Sequence, residues 1–348
     1  MTTRIEIDLD AFRANVLTLA AIAAPARTML AVKADGYGHG MVPIARAALA
    51  SGADSLAVLD VTAALELRAA GIEAQLFAWL HGEETDFRAA VEHDVDLGVS
   101  SLVELRRIVD AGADRPATLH LKIDTGLHRN GASPEDWPVL VGEALAAEQR
   151  GQARIAGIWS HLADASPADD RVALAEFRAA LAVAAGLGVP MDGPDRPLLH
   201  LAASSAGIRM PEARFDLVRF GIAAYGSSPF DDQTARDLGM RAPMTVYATV
   251  IASEAGTSTL DLGSADGIPS NVQDGRVLLD GKRVRVRTVD VDTIEVAAEA
   301  PLGTEAIVFG PGDRGEPTAE EWAAWADTIG DEILARASRR IPRVILGE

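Results

Sequence analysis

"MLAVKADGYGHG", Met29 to Gly40, runs apolar up to a lysine and then passes at once into Ala, Asp and three glycines interleaved with Tyr37 and His39. The apolar part reads as a short buried strand. It is the first of eight such runs: 28–33 (TMLAVK), 55–59, 75–79, 95–99, 117–123 (ATLHLKI), 154–160 (RIAGIWS), 198–201 (LLHL) and 215–220 (FDLVRF). Helical patterns lie between most of them, among them "VTAALELRAAG" at 61–71 and "SSLVELRRIVDAG" at 100–112, each ending in a glycine as a helix C-terminus should. Parallel strands need helical crossovers, and eight β/α units close on themselves. The pattern therefore predicts an α/β fold, a (β/α)8 TIM-type barrel over residues 1–230.

After residue 240 the texture changes. "MTVYATVIA", "GRVLLDG", "KRVRVRTVDVDTIEVA" and "TEAIVFG" alternate apolar and polar residues between Gly and Asp turns, with no helices between them. This predicts a smaller, mostly antiparallel β domain over 240–348, joined through a linker at Gly226–Gly239, with residues 1–10 as a candidate extra strand for it. One helix is expected to close the chain, "TAEEWAAWADTIGDEILARA". Thr318 and Glu321 have capping-box spacing, and Trp322, Trp325, Ile329 and Ile333 share one face.

Composition excludes several classes of function. The net charge of −19 over 348 residues is wrong for a protein that grips a phosphate backbone, so no nucleic-acid partner is expected. With no cysteine there is no disulfide, thiolate nucleophile or thiolate zinc site, and no metal is expected. The first residues lack the apolar stretch of a signal peptide, and no run reaches the length of a membrane span. A soluble, cytoplasmic protein is the expectation.

Barrel chemistry sits at the C-terminal ends of the strands. Here those ends carry Lys33, then Lys122 leading into Asp124 and Arg129, then Ser160 and His161, then Ser204 and Ser205, then Arg219 with Gly221 and Ile222. One such residue is unremarkable, since strand ends reach water, but five strands ending this way converge on one mouth. A lysine at the end of a buried strand is partly desolvated, which favours its neutral, nucleophilic form. Pyridoxal phosphate is the aldehyde cofactor that such lysines hold. "RFGIAAYG" supplies small residues and backbone N–H groups where barrels commonly bind phosphate. Arg219 is placed to donate to the cofactor's ring nitrogen without protonating it, which favours simple proton exchange over reactions that need a long-lived carbanion.

These residues resemble those of the alanine racemase family, over nearly the whole chain. The resemblance implies a pyridoxal-phosphate barrel enzyme with a C-terminal β domain, acting on a small amino acid as a head-to-tail homodimer. "AVKADGYGHG" is similar to the family's cofactor-lysine motif, which implies Lys33 as the lysine that joins the cofactor and Tyr37 as a cofactor-site tyrosine. "LKIDTGLHRNG" implies Arg129 as the clamp on the substrate carboxylate, with Lys122 at a position often carbamylated to orient it. "GIWSHLADA" places His161 beside the cofactor ring. "HLAASSAG" sets Ser204 and Ser205 at an Asn-Ser pair whose second member reaches the phosphate, and "RFGIAAYG" supplies Arg219, Gly221, Ile222 and Tyr225.

The C-terminal half departs from the family pattern. Racemisation there uses two bases, the lysine and a tyrosine from the partner's β domain. That tyrosine sits in a Ser-Tyr-Gly segment that this chain lacks, and the Gly-Tyr-Ala-Asp-Gly motif that follows has become Gly263-Ser264-Ala265-Asp266-Gly267. Val289-Asp290 stands for a Met-Asp pair, and Arg339 stands where a phosphate-site tyrosine is usual and is expected to contact the cofactor phosphate in its place. Of the three tyrosines, Tyr37 and Tyr225 belong to barrel motifs and Tyr247 lies on a strand that packs inside the β domain. Three readings stay open: an amino-acid racemase with His161, a water or another group on the second face; an enzyme of one-base pyridoxal-phosphate chemistry; and a non-catalytic cofactor binder. An intact carboxylate clamp favours an enzyme over a binder.

Overall fold

The computed structural model describes residues 3–348, which form two compact units. One comprises Leu19–Lys33 and Gly52–Gly221; the other takes the chain up to Thr18, Ala34–Ser51 and Ile222–Glu348.

β1 (Arg4–Asp8) opens the chain and belongs to the second unit. Eight parallel strands then build the first: β2 (Arg27–Ala31), β3 (Ser55–Val58), β4 (Leu76–Ala78), β5 (Val95–Val99), β6 (Ala117–Lys122), β7 (Ala153–Trp159), β8 (Leu198–His200) and β9 (Leu217–Phe220). Each lies on one of the eight expected runs. They neighbour one another in chain order from β2 to β8, and β9 returns to pair with β2. Asp216 N–H to Leu199 O and Arg219 N–H to Ala202 O close the cylinder. The strands read as continuous apolar runs because both faces are covered, by the helices outside and by Met29, Ala57, Phe77, Trp159 and Leu217 inside. Helices start on side-chain caps: Asp60, Asp86, Ser101 and Ser166 accept the N–H of Ala63, Ala89, Glu104 and Asp169.

The second unit is built on one sheet, with β10 (Met244–Glu254), β11 (Thr257–Leu260), β12 (Arg276–Leu279), β13 (Lys282–Val289), β14 (Ile294–Val296), β15 (Glu305–Phe309) and β16 (Arg343–Leu346). Its order is β11-β14-β13-β12-β15-β10-β1-β16, antiparallel except for the β1–β16 pair. The stretch at 226–239 is irregular and lies inside this unit.

The closing helix differs from expectation. The Thr318–Glu321 capping box forms, but the helix stops at Trp325, and a second one runs Gly330–Ala335 before β16. Asp327 adopts a left-handed conformation, φ 53°, which a continuous right-handed helix cannot hold. The break turns Ile329 out to solvent at 65 % exposure, while Trp322 and Ile333 stay buried. A 3-10 turn at Ser264–Asp266 also interrupts the expected all-strand texture.

Candidate active site

Beyond β2 the chain does something its glycines alone do not explain. Ala34, Asp35, Gly36 and Tyr37 all lie in the left-handed region (φ 51°, 56°, 61° and 49°), forming one left-handed turn. Left-handed backbone costs a residue with a Cβ about 1–2 kcal/mol, so three of these four must be held by their surroundings. Within their unit they are. Gly38 N–H bonds to Ala34 O and Gly40 N–H to Asp35 O, both at 2.9 Å. The buried His39 ring faces two carbonyls with Nδ1, Tyr37 O at 2.8 Å and Gly36 O at 3.0 Å. Asp35 Oδ1 accepts the N–H of Met41 at 2.9 Å, capping the helix that follows. Arg339 Nε donates to Asp35 Oδ2 at 3.2 Å, and Arg343 Nε donates to Gly38 O at 2.9 Å. The Tyr37 and Tyr225 rings pack with centroids 4.6 Å apart, and burial pushes both hydroxyls up from the ordinary tyrosine range. Arg339 is thus a largely exposed side chain paired with Asp35.

In the barrel unit the strand-end residues come together around His161. Burial first, then the charges of Arg219, Arg129, Lys122 and Lys33, hold the His161 imidazole well below its ordinary pKa. Arg219 is buried on β9, and burial pulls its guanidinium down to about 9, so it remains a cation at neutral pH. Nη1 donates to His200 O at 2.9 Å and faces His200 Nδ1 at 3.0 Å; Nη2 donates to Ser160 O at 2.7 Å and Leu201 O at 3.0 Å. Its Nε–H has no acceptor among the described residues.

Lys122 is buried at the end of β6, and burial, with Arg219 and Arg129, lowers its amine to about 7. It donates to Asn130 Oδ1 and lies 4.5 Å above the Trp159 ring. The loop it enters is cinched: Asp124 Oδ1 accepts from Gly126 and His128, and Ala132 N–H returns to Lys122 O. Arg129 is exposed near the tip and makes no side-chain hydrogen bond among the described residues. Ser204 Oγ accepts the Gly221 N–H at 3.1 Å, and Ser205 Oγ donates to Asp164 at 2.5 Å. Ile222 begins the short 3-10 turn that ends at Tyr225.

Lys33, Lys122, Arg129, His161 and Arg219 therefore form one electropositive group, although the chain as a whole is acidic. The four charges that weigh most on His161 are all positive, and the Arg219 Nε–H is left without an acceptor among the described residues. This donor set fits an anionic ligand with a ring nitrogen, as a phosphorylated pyridine aldehyde is, together with a substrate carboxylate. Tyr247 belongs elsewhere: it is 2 % exposed on β10, with the Arg4 guanidinium 4.1 Å from its ring centroid and Arg314 donating to its hydroxyl at 3.1 Å. Sequence reasoning passed over Asp35, Asn130, His120 and His200; the last two are legible only as histidines inside apolar strand runs.

Comparison with known proteins gives one family for both units. The family model described as "Alanine racemase, N-terminal domain" matches residues 7–229, and "Alanine racemase, C-terminal domain" matches 246–345. A protein named alanine racemase from Thermobifida fusca is 40% identical, covering 98% of this chain and 97% of its own length. The Streptomyces coelicolor protein of that name is 41% identical over 384 residues and covers 100% of this chain and 97% of its own. Because this chain has 348 residues, that relative carries stretches with no counterpart here. The crystal structure of alanine racemase from D-cycloserine producing Streptomyces lavendulae superposes with a TM-score of 0.94 at 41% identity, over 100% of this chain and 98% of that one.

The left-handed turn yields a stability prediction. Gly38 has φ +78°, and a Cβ there would stand 2.2 Å from the Leu334 carbonyl oxygen. Gly38→Ala is expected to cost about 2 kcal/mol or more in urea unfolding of the apoprotein; a change below about 0.5 kcal/mol would show that the turn is not held in this conformation.

Proposed function

The chain belongs to the alanine racemase family, and from that premise we propose that it is a pyridoxal-phosphate isomerase interconverting L- and D-alanine, working as a homodimer in the cytoplasm. The observation that carries this reading is the set of four cations acting on the neutral His161 at the C-terminal end of the barrel strands. A mere cofactor carrier has no use for the exposed Arg129 guanidinium beside that group.

Lys33, Arg219, His161 and Ser205 are the residues of the barrel unit that would hold the cofactor: the amine at its aldehyde carbon, the guanidinium at its ring nitrogen, the imidazole beside its ring and the hydroxyl toward its phosphate. Bound there, pyridoxal phosphate supplies a ring that withdraws electrons and so acidifies the α-C–H of a joined amino acid. Arg219 stays protonated and donates a hydrogen bond without giving up its proton, which limits the withdrawal and suits reversible proton exchange over decarboxylation or aldol cleavage. Arg129 fixes the substrate carboxylate, and the cinched loop from Asp124 to Ala132 holds the backbone that carries it. His161 is neutral and available to pack without adding charge. Lys33 removes and returns the α-proton on its own face of the substrate.

An amine lowered to about 7 has a neutral fraction open to carbamylation by dissolved carbon dioxide, which would replace a partly charged amine beside Arg129 with an anion that orients it. Equilibration with 13C-bicarbonate at pH 8 is expected to add a carbamate carbon signal that Lys122→Met lacks; a signal surviving in the variant would belong to another amine.

A second reading, one-base chemistry on one enantiomer, is favoured by the missing Ser-Tyr-Gly segment and by the burial of Tyr247. Two measurements separate the readings. Chiral chromatography after incubating the holoenzyme with each pure enantiomer is expected to show conversion both ways, lost in Lys33→Ala. In deuterated solvent, the α-proton of D-alanine is expected to exchange at least about tenfold faster than that of L-alanine, because the Lys33 face holds the stronger base. Equal rates would reveal a competent second base.

A further inference from the structure

Inside the barrel lies a line of polar side chains to which the proposed reaction gives no role. His120 on β6 and His200 on β8 are both fully buried. His120 Nδ1 is 2.8 Å from His200 Nε2, and His200 Nδ1 is 3.0 Å from Arg219 Nη1. At the other end His120 Nε2 is 3.2 Å from Asp96 Oδ2, which also accepts from Gln75 Nε2 at 2.5 Å. The line runs from the N-terminal ends of the strands, where Asp96 borders a cavity of about 470 Å³ with Arg27, Arg154 and Arg196, to the mouth at Arg219.

Donor chemistry gives this line one direction. A guanidinium only donates, so His200 Nδ1 must accept and the proton of that ring sits on Nε2. His200 Nε2 then donates to His120 Nδ1, which must be bare, and the His120 proton on Nε2 goes to the Asp96 carboxylate. A second proton on either ring would set two N–H groups facing each other across 2.8 or 3.0 Å. Both imidazoles are therefore neutral, and every ring nitrogen is paired.

The surrounding residues make room for this arrangement. Trp159 stacks on His200 with a 6° interplanar angle, and its indole N–H donates to His120 O at 3.1 Å. Gly157 on β7 is in register with His120, between the two histidine strands. A Cβ on it would stand 2.1 Å from His120 Nδ1, at the point where His200 donates. Its backbone is not left-handed, so the missing Cβ provides space alone. Apolar side chains are the ordinary filling of such a barrel, and buried polar groups persist only when fully satisfied.

We propose that His120 and Asp96 are positioning residues for Arg219: they lock His200 in its Nε2–H tautomer, so that Nδ1 always presents an acceptor to Nη1 and the guanidinium keeps one orientation toward the cofactor ring. This rests on the assignment of Arg219 to the active site made above. Asp96 also supplies, at the far end, the carboxylate that Arg219 lacks beside it.

The tautomers are readable by long-range 15N–1H NMR of the histidine-labelled apoprotein, with neither cofactor nor turnover involved. Nε2–H at both His120 and His200 is expected; Nδ1–H at His200, or an imidazolium at either, overturns the proposal. In the holoenzyme Asp96→Leu removes the last acceptor, and kcat is expected to fall about tenfold or more with KM for alanine nearly unchanged. Asp96→Asn keeps an acceptor and is expected to stay within about threefold of the parent. Full activity of Asp96→Leu overturns the role; should that variant not fold, the tautomers of the parent protein decide. A parent holoenzyme inactive on alanine would remove the functional reading, leaving the NMR result to judge the relay by itself.

Discussion

A buried guanidinium with no carboxylate among its partners is the constraint around which the barrel unit is arranged. Taking Arg219 out of water is costly unless its N–H groups are paired. Three backbone carbonyls and two imidazoles, those of His200 and His161, meet that demand at the end of β9. To offer them, the ends of β7 and β8 must turn their carbonyls of Ser160, His200 and Leu201 inward. On the proposed reading, a ligand entering the mouth would meet Arg219 Nε–H, the neutral His161 and the amines of Lys33 and Lys122.

The consequence is a site whose charge is inverted relative to its protein. The chain carries −19 overall, yet the four charges that weigh most on His161 are all positive. Self-repulsion among them is relieved in two visible ways: the Lys122 amine is pulled down to about 7 and so is only partly charged near neutral pH, and His161 stays neutral. The remainder is left for an anion. The left-handed turn directly after Lys33 applies the same logic to the backbone, since strain in three non-glycine residues persists because Asp35, His39 and Arg343 hold it.

How much of this was legible depended on whether each feature is written locally. The eight barrel strands were, because a strand covered on both faces reads as an unbroken apolar run. The strand-end residues were, because position in a parallel barrel assigns them to one mouth. The closing helix was misread: the spacing of Trp322, Trp325, Ile329 and Ile333 is continuous, but the left-handed Asp327 breaks the axis and puts Ile329 into solvent. The left-handed turn after Lys33 was not legible, because it includes three non-glycine residues and is held by contacts from residues far along the chain, Arg339 on Asp35 and Arg343 on Gly38 O. The His120–His200 contact was invisible because it joins strands two apart across Gly157, and neither histidine has a sequence neighbour that betrays it.

The central claim is that one amine, that of Lys33, carries the cofactor. The chain has three lysines, Lys33, Lys122 and Lys282, so the test is clean. Borohydride reduction of protein soaked in pyridoxal phosphate, followed by peptide mass spectrometry, is predicted to place a single phosphopyridoxyl group on Lys33. Protein that stays colourless and unlabelled, or a group found on Lys122 or Lys282 instead, would contradict the account.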